Sequence, residues 1–232
     1  MIKITIGVDE AGRGPLAGPI TLAVFAASQN LREKLIKILG GKIKDSKQFS
    51  EKRREEIYKK FLILRRENKV SFFVSHISNK IIDNRGISEA TRRGIRNLLP
   101  TRAQKCTDIF LLKNSSCSRQ SRSQGIFDSR ASANFFTIPV RLDGLLKAPE
   151  KFKNQKTIIG GDSKNIFIAC ASIVAKVRRD RLMRRLAKKY PRYSLEIHKG
   201  YGTALHYKLL KKHGLSEIHR KSFLKNLTKV TK

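Results

Sequence analysis

Carboxylates are scarce in this chain, with eighteen Asp and Glu against fifty-one Lys and Arg and a formal net charge of +33. Their placement is therefore informative. Asp9 and Glu10 stand together after the alternating run Ile-Lys-Ile-Thr-Ile-Gly-Val and just before Ala-Gly-Arg-Gly-Pro. Asp143 closes the run Phe136-Thr-Ile-Pro-Val-Arg-Leu142, and Asp162 follows Gly160-Gly161 ahead of a long apolar-periodic stretch. In α/β folds, side chains at the carboxyl ends of strands converge on a common site. Four carboxylates gathered there would repel one another and resist ionisation unless a cation lay between them. Oxygen-only ligands suit hard Mg²⁺ or Mn²⁺, and those metals support in-line phosphodiester hydrolysis. Spacing alone leaves another reading open, in which these acids are helix caps, turn residues and salt-bridge partners.

The elements that must position them follow from periodicity. Residues 2–8 alternate as a strand with one buried face, and Ile20–Ala27 is apolar and uncharged, as a central strand buried on both faces would be. Helical spacing over Leu31–Leu39 stops at Gly40-Gly41. Ser50 caps a helix that runs to about Arg66 with acids in its first turns. Val70–Ile77 reads as a strand and Ser88–Leu99 as a helix closed by Pro100. Phe136–Leu142 is a further strand, placed by Pro139 at an edge or a strand start. Ile166–Lys189 is a long helix stopped by Pro191, and another starts at Gly202 or Thr203 and ends near Gly214. The expected architecture is an α/β fold, a mixed sheet flanked by helices, in one domain over residues 1–232. A basic helical C-terminal extension covers about 190–232. Residues 102–136 break the rhythm, and Ser115–Gly125 is low-complexity, polar and basic, as a flexible insertion would be. Within it, Ile109-Phe-Leu-Leu112 is ambiguous between a strand of the sheet and a local element.

Composition narrows the partners. The hydrophobic content of 40% excludes wholesale disorder, and a cation excess of this size calls for a polyanion, nucleic acid before membrane. Between residues 165 and 232 there are eighteen Lys and Arg against three acids, the strongest polyanion-facing stretch. Three cysteines, Cys106, Cys117 and Cys170, with no C-x-x-C pair, speak against a disulfide framework and a structural zinc site. Carboxylates at positions 9 and 10 interrupt the apolar run that a signal peptide needs. The uncharged stretch Gly14–Leu31 is broken by Pro15 and Pro19 and reads as a loop and strand, so a cytoplasmic protein without membrane attachment is expected.

The residues around the acids resemble the ribonuclease HII family. Gly7-Val-Asp-Glu-Ala-Gly-Arg-Gly-Pro-Leu-Ala-Gly-Pro19 is similar to its opening motif. In family order there follow Asp45-Ser-Lys47 with Ser50-Glu-Lys-Arg-Arg-Glu, then Gly86-Ile-Ser-Glu-Ala-Thr91, Leu142-Asp-Gly144 and Gly161-Asp162. Phe167-Ile-Ala-Cys-Ala-Ser-Ile-Val-Ala-Lys-Val177, His198-Lys-Gly-Tyr-Gly-Thr203, His206 and Ile218-His-Arg-Lys-Ser-Phe223 complete the pattern. The D-E-S-G variant of the sister ribonuclease HIII is absent, because the run here is Asp9-Glu10-Ala11-Gly12, with Ala11 in place of its serine.

The resemblance implies a ribonuclease-H-like fold and a monomeric endonuclease. Its substrates would be RNA–DNA hybrids and duplex DNA with embedded ribonucleotides, and its products 5′-phosphate and 3′-hydroxyl ends. It implies that Asp9, Glu10, Asp143 and Asp162 are catalytic and hold two Mg²⁺ or Mn²⁺ ions. Gly12, Arg13 and Gly14 would read the ribose 2′-hydroxyl, the group that tells RNA from DNA. Tyr201 would stack on the neighbouring sugar, and Lys47 would contact a phosphate in preference to Lys176. Asp180 is expected in a salt bridge beside Arg178, Arg179 and Arg181. His198, His206 and His219 carry no catalytic assignment. About thirty extra residues between Pro100 and Thr137 make Asp143 the acid whose placement most needs a structure. Rival readings are another two-metal nuclease of the same fold and a non-catalytic nucleic-acid-binding protein.

Overall fold

Five short runs of apolar and β-branched residues form one mixed sheet. Its order places β1 (Ile4–Ala11) at the centre, with β2 (Ile20–Ser28) antiparallel on one side and β4 (Val140–Asp143) parallel on the other. Next to β2 lies β3 (Val70–Ile77), antiparallel, and next to β4 lies β5 (Gln155–Ile158), parallel. This computed structural model describes residues 3–43, 46–99 and 135–225, with the backbone alone at Lys47. The proposed insertion over 102–136 and the run Ile109–Leu112 lie outside them, apart from residues 135 and 136.

Every residue of β2 is buried, because helices cover both faces of the sheet. On one face Ile6, Val8, Leu22 and Val24 pack with Ile82 and Ile95 of α3 (Asn79–Leu98). On the other, Ala23, Phe25 and Ala27 pack with α2 (Glu51–Arg66) and with the first half of α5 (Ile166–Lys189). Between β5 and α5 lies the single turn α4 (Gly161–Lys164). Asn165 starts α5 by accepting hydrogen bonds from the amides of Phe167 and Ile168. Gly7 lets that helix lie directly on β1, since a Cβ there would fall 2.1 Å from the Phe167 carbonyl.

Beyond the sheet, α5 continues into a third apolar cluster. Met183 and Ala187 meet Leu195 of α6 (Leu195–His198) and Leu210 of α7 (Ala204–His213), together with Leu16 and Ala17 from the loop after β1. The C-terminal elements are thereby packed against that loop. Among the described residues of the first half, α1 (Arg32–Ile38) is the remaining α-helix. Among the described residues no helix is long and apolar enough to cross a membrane.

Two elements depart from the expectations. The helix expected from Ser88 begins at Asn79, and Gly86 interrupts it with φ 78° and ψ 161°, so its first two turns lack the unbroken period that would have revealed them. The strand expected from Phe136 forms only at Val140, after a 3₁₀ turn and Pro139. β5 has a polar, half-exposed pattern that carries no strand signal of its own. Elsewhere the caps fall where the sequence puts them: Ser50 accepts from the Arg53 amide and Thr203 from the His206 amide.

Candidate active site

β1 and β4 run parallel with Val8 opposite Leu142, so Asp9, two residues before the end of β1, stands beside Asp143 at the end of β4. The long connection before β4 has not shifted the register of Asp143. Glu10 follows on β1, and Asp162 sits in the first turn of α4. All four acids line one cleft of about 330 Å³, shared with Gly12, Arg13, Gly14, Ser46, Ser172, Lys176 and Tyr201. They stand along its walls. Among the described residues no three Asp, Glu, His or Cys side chains already close around a point as a metal cluster.

The electrostatics of that wall are those of crowded like charge. Burial pushes the Asp9 carboxyl well above its ordinary range, a hydrogen bond with Ser172 opposes this, and the charges of Asp143 and Glu10 push it further up. The Glu10 amide donates to Asp9 Oδ1 at 2.7 Å. Ser172 Oγ lies 2.8 Å from Ser46 Oγ, which ties α5 to the turn Ser46–Gln48. Asp143 Oδ1 accepts from the Gly161 amide at 2.6 Å, joining β4 to α4. Arg13 reaches Glu10 at 3.3 Å, and Lys176 donates to Asp180 Oδ1 at 2.8 Å.

The loop between β1 and β2 is held from behind by two buried arginines. Arg220 donates to the carbonyls of Gly12, Arg13 and Gly18 at 2.7, 2.8 and 3.0 Å. Arg179 donates to Pro19 and Ala17 at 3.3 and 3.4 Å. Burial and the neighbouring charge of Arg179 bring the Arg220 guanidinium down to about 9. Gly12 has φ +90°, and a Cβ there would fall 2.0 Å from Arg179 Nε, so glycine is required by the protein itself. Gly14 differs: a Cβ there would meet nothing within 4 Å. Of the two glycines, Gly14 is the one whose space opens outward.

Tyr201 borders the same cleft, 40% exposed, with Arg179 and Lys176 5.6 and 5.8 Å from its ring centre. A buried relay fixes its backbone. The Ser216 amide donates to His219 Nδ1, His219 and His206 meet through their Nε2 atoms at 3.1 Å, and His206 Nδ1 lies 2.9 Å from the Tyr201 carbonyl. This pattern suits neutral rings, one N–H each. Burial brings both His206 and His219 down to about 4 and lowers His198 as well.

Thus Asp9, Glu10, Asp143, Asp162, Gly12, Arg13, Gly14 and Tyr201 come together, and Lys47 lies in the nearby turn with its side chain outside the described atoms. Asp180 is buried, as a salt-bridge residue, but its partners are Lys176 at 2.8 Å and Arg54 at 3.6 Å, not its arginine neighbours in sequence. Sequence reasoning passed over Ser46, Ser172 and the two buried arginines. Ser172 was visible only as one small residue in a helix start, and Arg179 and Arg220 were hidden among many exposed cations.

The fold is that of the ribonuclease-H-like nucleases. It matches the crystal structure of ribonuclease H2 from Pyrococcus horikoshii OT3 with a TM-score of 0.65 at 22% identity, covering 98% of each chain. The ribonuclease HII family model matches residues 6–226. Curated proteins named Ribonuclease HII are 38% identical over 225 residues in Caldicellulosiruptor bescii (97% of this chain, 88% of that protein) and 38% over 218 residues in Endomicrobium trichonymphae (94% and 83%). The chain belongs to the ribonuclease HII family. It is a ribonuclease H, a hydrolase that cleaves RNA within RNA–DNA hybrids.

Proposed function

We propose that the cleft of Asp9, Glu10, Asp143 and Asp162 cuts the RNA strand of hybrids and also single ribonucleotides embedded in duplex DNA. The observation that carries this reading is the meeting of four carboxylates with an open-sided glycine loop and an exposed tyrosine in one cleft. The donor set fits hard divalent cations: all four groups are carboxylates, and the carboxyl of Asp9 is held against ionisation by burial and by its acidic neighbours. These four residues would hold two Mg²⁺ or Mn²⁺ ions. Bound there, such ions supply activation of water and neutralisation of charge at the scissile phosphate.

The remaining work falls to the chain itself. Arg220 and Arg179 turn the carbonyls of Gly12, Arg13, Ala17, Gly18 and Pro19 inward and so keep the loop in one shape. The outward edge at Gly14 admits a ribose closely enough for the backbone to sense its 2′-hydroxyl. Tyr201 packs on the sugar of the adjacent deoxynucleotide, and Lys47 contacts a backbone phosphate. Water attacks phosphorus, the bond to the 3′-oxygen breaks, and the ends are 5′-phosphate and 3′-hydroxyl. The enzyme acts as a cytoplasmic monomer, and the described part of its basic C-terminal extension, residues 190–225, packs against the substrate-reading loop.

Two labelled duplexes test this, one with an RNA strand and one with a single ribonucleotide in DNA. The wild type should cut both, and only with a divalent ion present. Tyr201→Ala should lose more on the isolated ribonucleotide than on the hybrid. Equal losses would make Tyr201 a general packing residue, and an uncut single-ribonucleotide duplex would confine the activity to hybrids.

A further inference from the structure

The second half of α5 bears a cluster of cations on the side away from the cleft. At about 100° per residue, Ser172, Lys176 and Asp180 share the face toward the carboxylates. Arg178, Arg181, Arg185 and Lys188 lie on the far side and Arg184 on the flank between, and the five line a separate groove of about 460 Å³. Two of the five are pinned by acids of α2. Arg181 and Arg184 reach Glu55 at 2.5 and 3.1 Å, Arg184 also pairs with Glu51, and the Arg181 guanidinium lies 4.8 Å from the Tyr58 ring centre. The other three, Arg178, Arg185 and Lys188, are exposed and have no acidic partner among the described residues.

Such an arrangement carries unbalanced repulsion, because like charges three and four residues apart on a helix destabilise it. The field reaches neighbouring groups: His76, hydrogen-bonded to Thr21, is brought down to about 4, first by burial and then by Arg178, Arg185 and Arg179. Four of the five cations are arginines, whose planar fork matches phosphate oxygens bidentately. From Arg178 to Lys188 the helix rises about 15 Å. A DNA duplex carries one negative charge per about 1.7 Å of its axis. A duplex laid along the groove therefore offers several phosphates within its span.

We propose that this groove is a second nucleic-acid site, which takes the phosphate backbone of a duplex DNA segment other than the one in the cleft. The inference rests on the reading of the cleft as a hybrid nuclease. It gives the enzyme a hold on long DNA that does not compete with cleavage. Arg178, Arg185 and Lys188 supply that hold, while Arg181 and Arg184, fixed to α2, shape the groove floor.

The test uses the full chain with Arg178→Ala, Arg185→Ala and Lys188→Ala combined, none of which touches an acid of α2. Three quantities are measured: the cleavage rate on a hybrid of about one helical turn, affinity for a long ribonucleotide-free DNA duplex without divalent ions across salt, and affinity for polyglutamate. The cleavage rate should stay within about twofold. Affinity for the long duplex should fall by roughly tenfold or more, and its slope against log salt should become shallower by about 2 to 3, near 0.9 per lost contact. Arg178→Lys with Arg185→Lys should keep the wild-type slope. Unchanged affinity and slope would overturn the proposal, as would a matching loss on the short hybrid, which would place the groove on the cleft's own substrate path. Loss of polyglutamate binding with long-duplex binding intact would assign the groove to an acidic protein instead. A wild type unable to cut the short hybrid would count against the cleft reading alone.

Discussion

Asp143 Oδ1 accepts the Gly161 amide at 2.6 Å, so the acid that ends β4 is tied to the turn that carries Asp162. The two acids are therefore placed by one joint. Gly161→Ala should disturb it, because the added Cβ would fall 2.6 Å from Ile168 Cδ1 and 3.2 Å from Asp143 Oδ1. Overpacking of this kind costs about 1–3 kcal/mol, and a displacement near 1 Å at a reacting centre lowers rates by about 10²-fold. Hybrid cleavage should fall by roughly 10- to 100-fold while the melting temperature drops by a few degrees. Wild-type turnover in this variant would mean that the joint does not position the acids.

Arg220→Ala should be more costly to stability than any exposed basic substitution in the same tail. It would strip the carbonyls of Gly12, Arg13 and Gly18 of their donor in a buried setting. Leaving buried polar groups unpaired costs about 1–3 kcal/mol each before relaxation. A loss of roughly 3 kcal/mol in urea unfolding is expected, with KM for hybrid raised because the loop loses its shape. A loss below about 0.5 kcal/mol, the range of ordinary surface changes, would contradict the loop-holding role.

The contrast between Arg220 and its neighbours marks where the sequence stops being legible. The strand ends bearing Asp9, Glu10 and Asp143 could be read because alternation stops where the acids begin, and α5 because its apolar period is long and ends at Pro191. Burial of a charged side chain has no such signature. Arg179 and Arg220 look like the other cations of a basic tail, yet both are fully buried, with backbone carbonyls as partners. Asp180 was legible as a salt-bridge residue, but its partner Arg54 is distant in sequence and only the packing of α2 on α5 brings it near. β5 and the first turns of α3 were hidden for a different reason, a polar strand pattern and a glycine kink that erase the periods by which such elements are recognised.

The relay through His219 and His206 predicts an acid-sensitive fold. Both rings sit near 4 in the native state against about 6.5 when unfolded. Between those values the unfolded chain binds protons that the native chain does not, so stability falls as pH is lowered from 6.5 toward 4. The slope is up to about 1.4 kcal/mol per pH unit for each ring. Asp9, held above its ordinary value, titrates with the opposite sign, so urea unfolding is best followed in Asp9→Asn. A stability independent of pH from 7 to 5 would show that these rings are not held neutral.

Hybrid cleavage by Asp143→Asn, measured beside hybrid binding, tests the carboxylate cleft most directly. Asp143 stands next to Asp9 across the β1–β4 register and shares the cleft with Glu10 and Asp162. The substitution keeps the size of the side chain and an oxygen able to accept from Gly161, but removes a negative charge. Cleavage should be abolished with either divalent ion, while hybrid affinity is unchanged or slightly tighter, since one repulsive charge facing the phosphates is gone. Retained cleavage in a folded Asp143→Asn enzyme would contradict the account and move the chemistry to another acid.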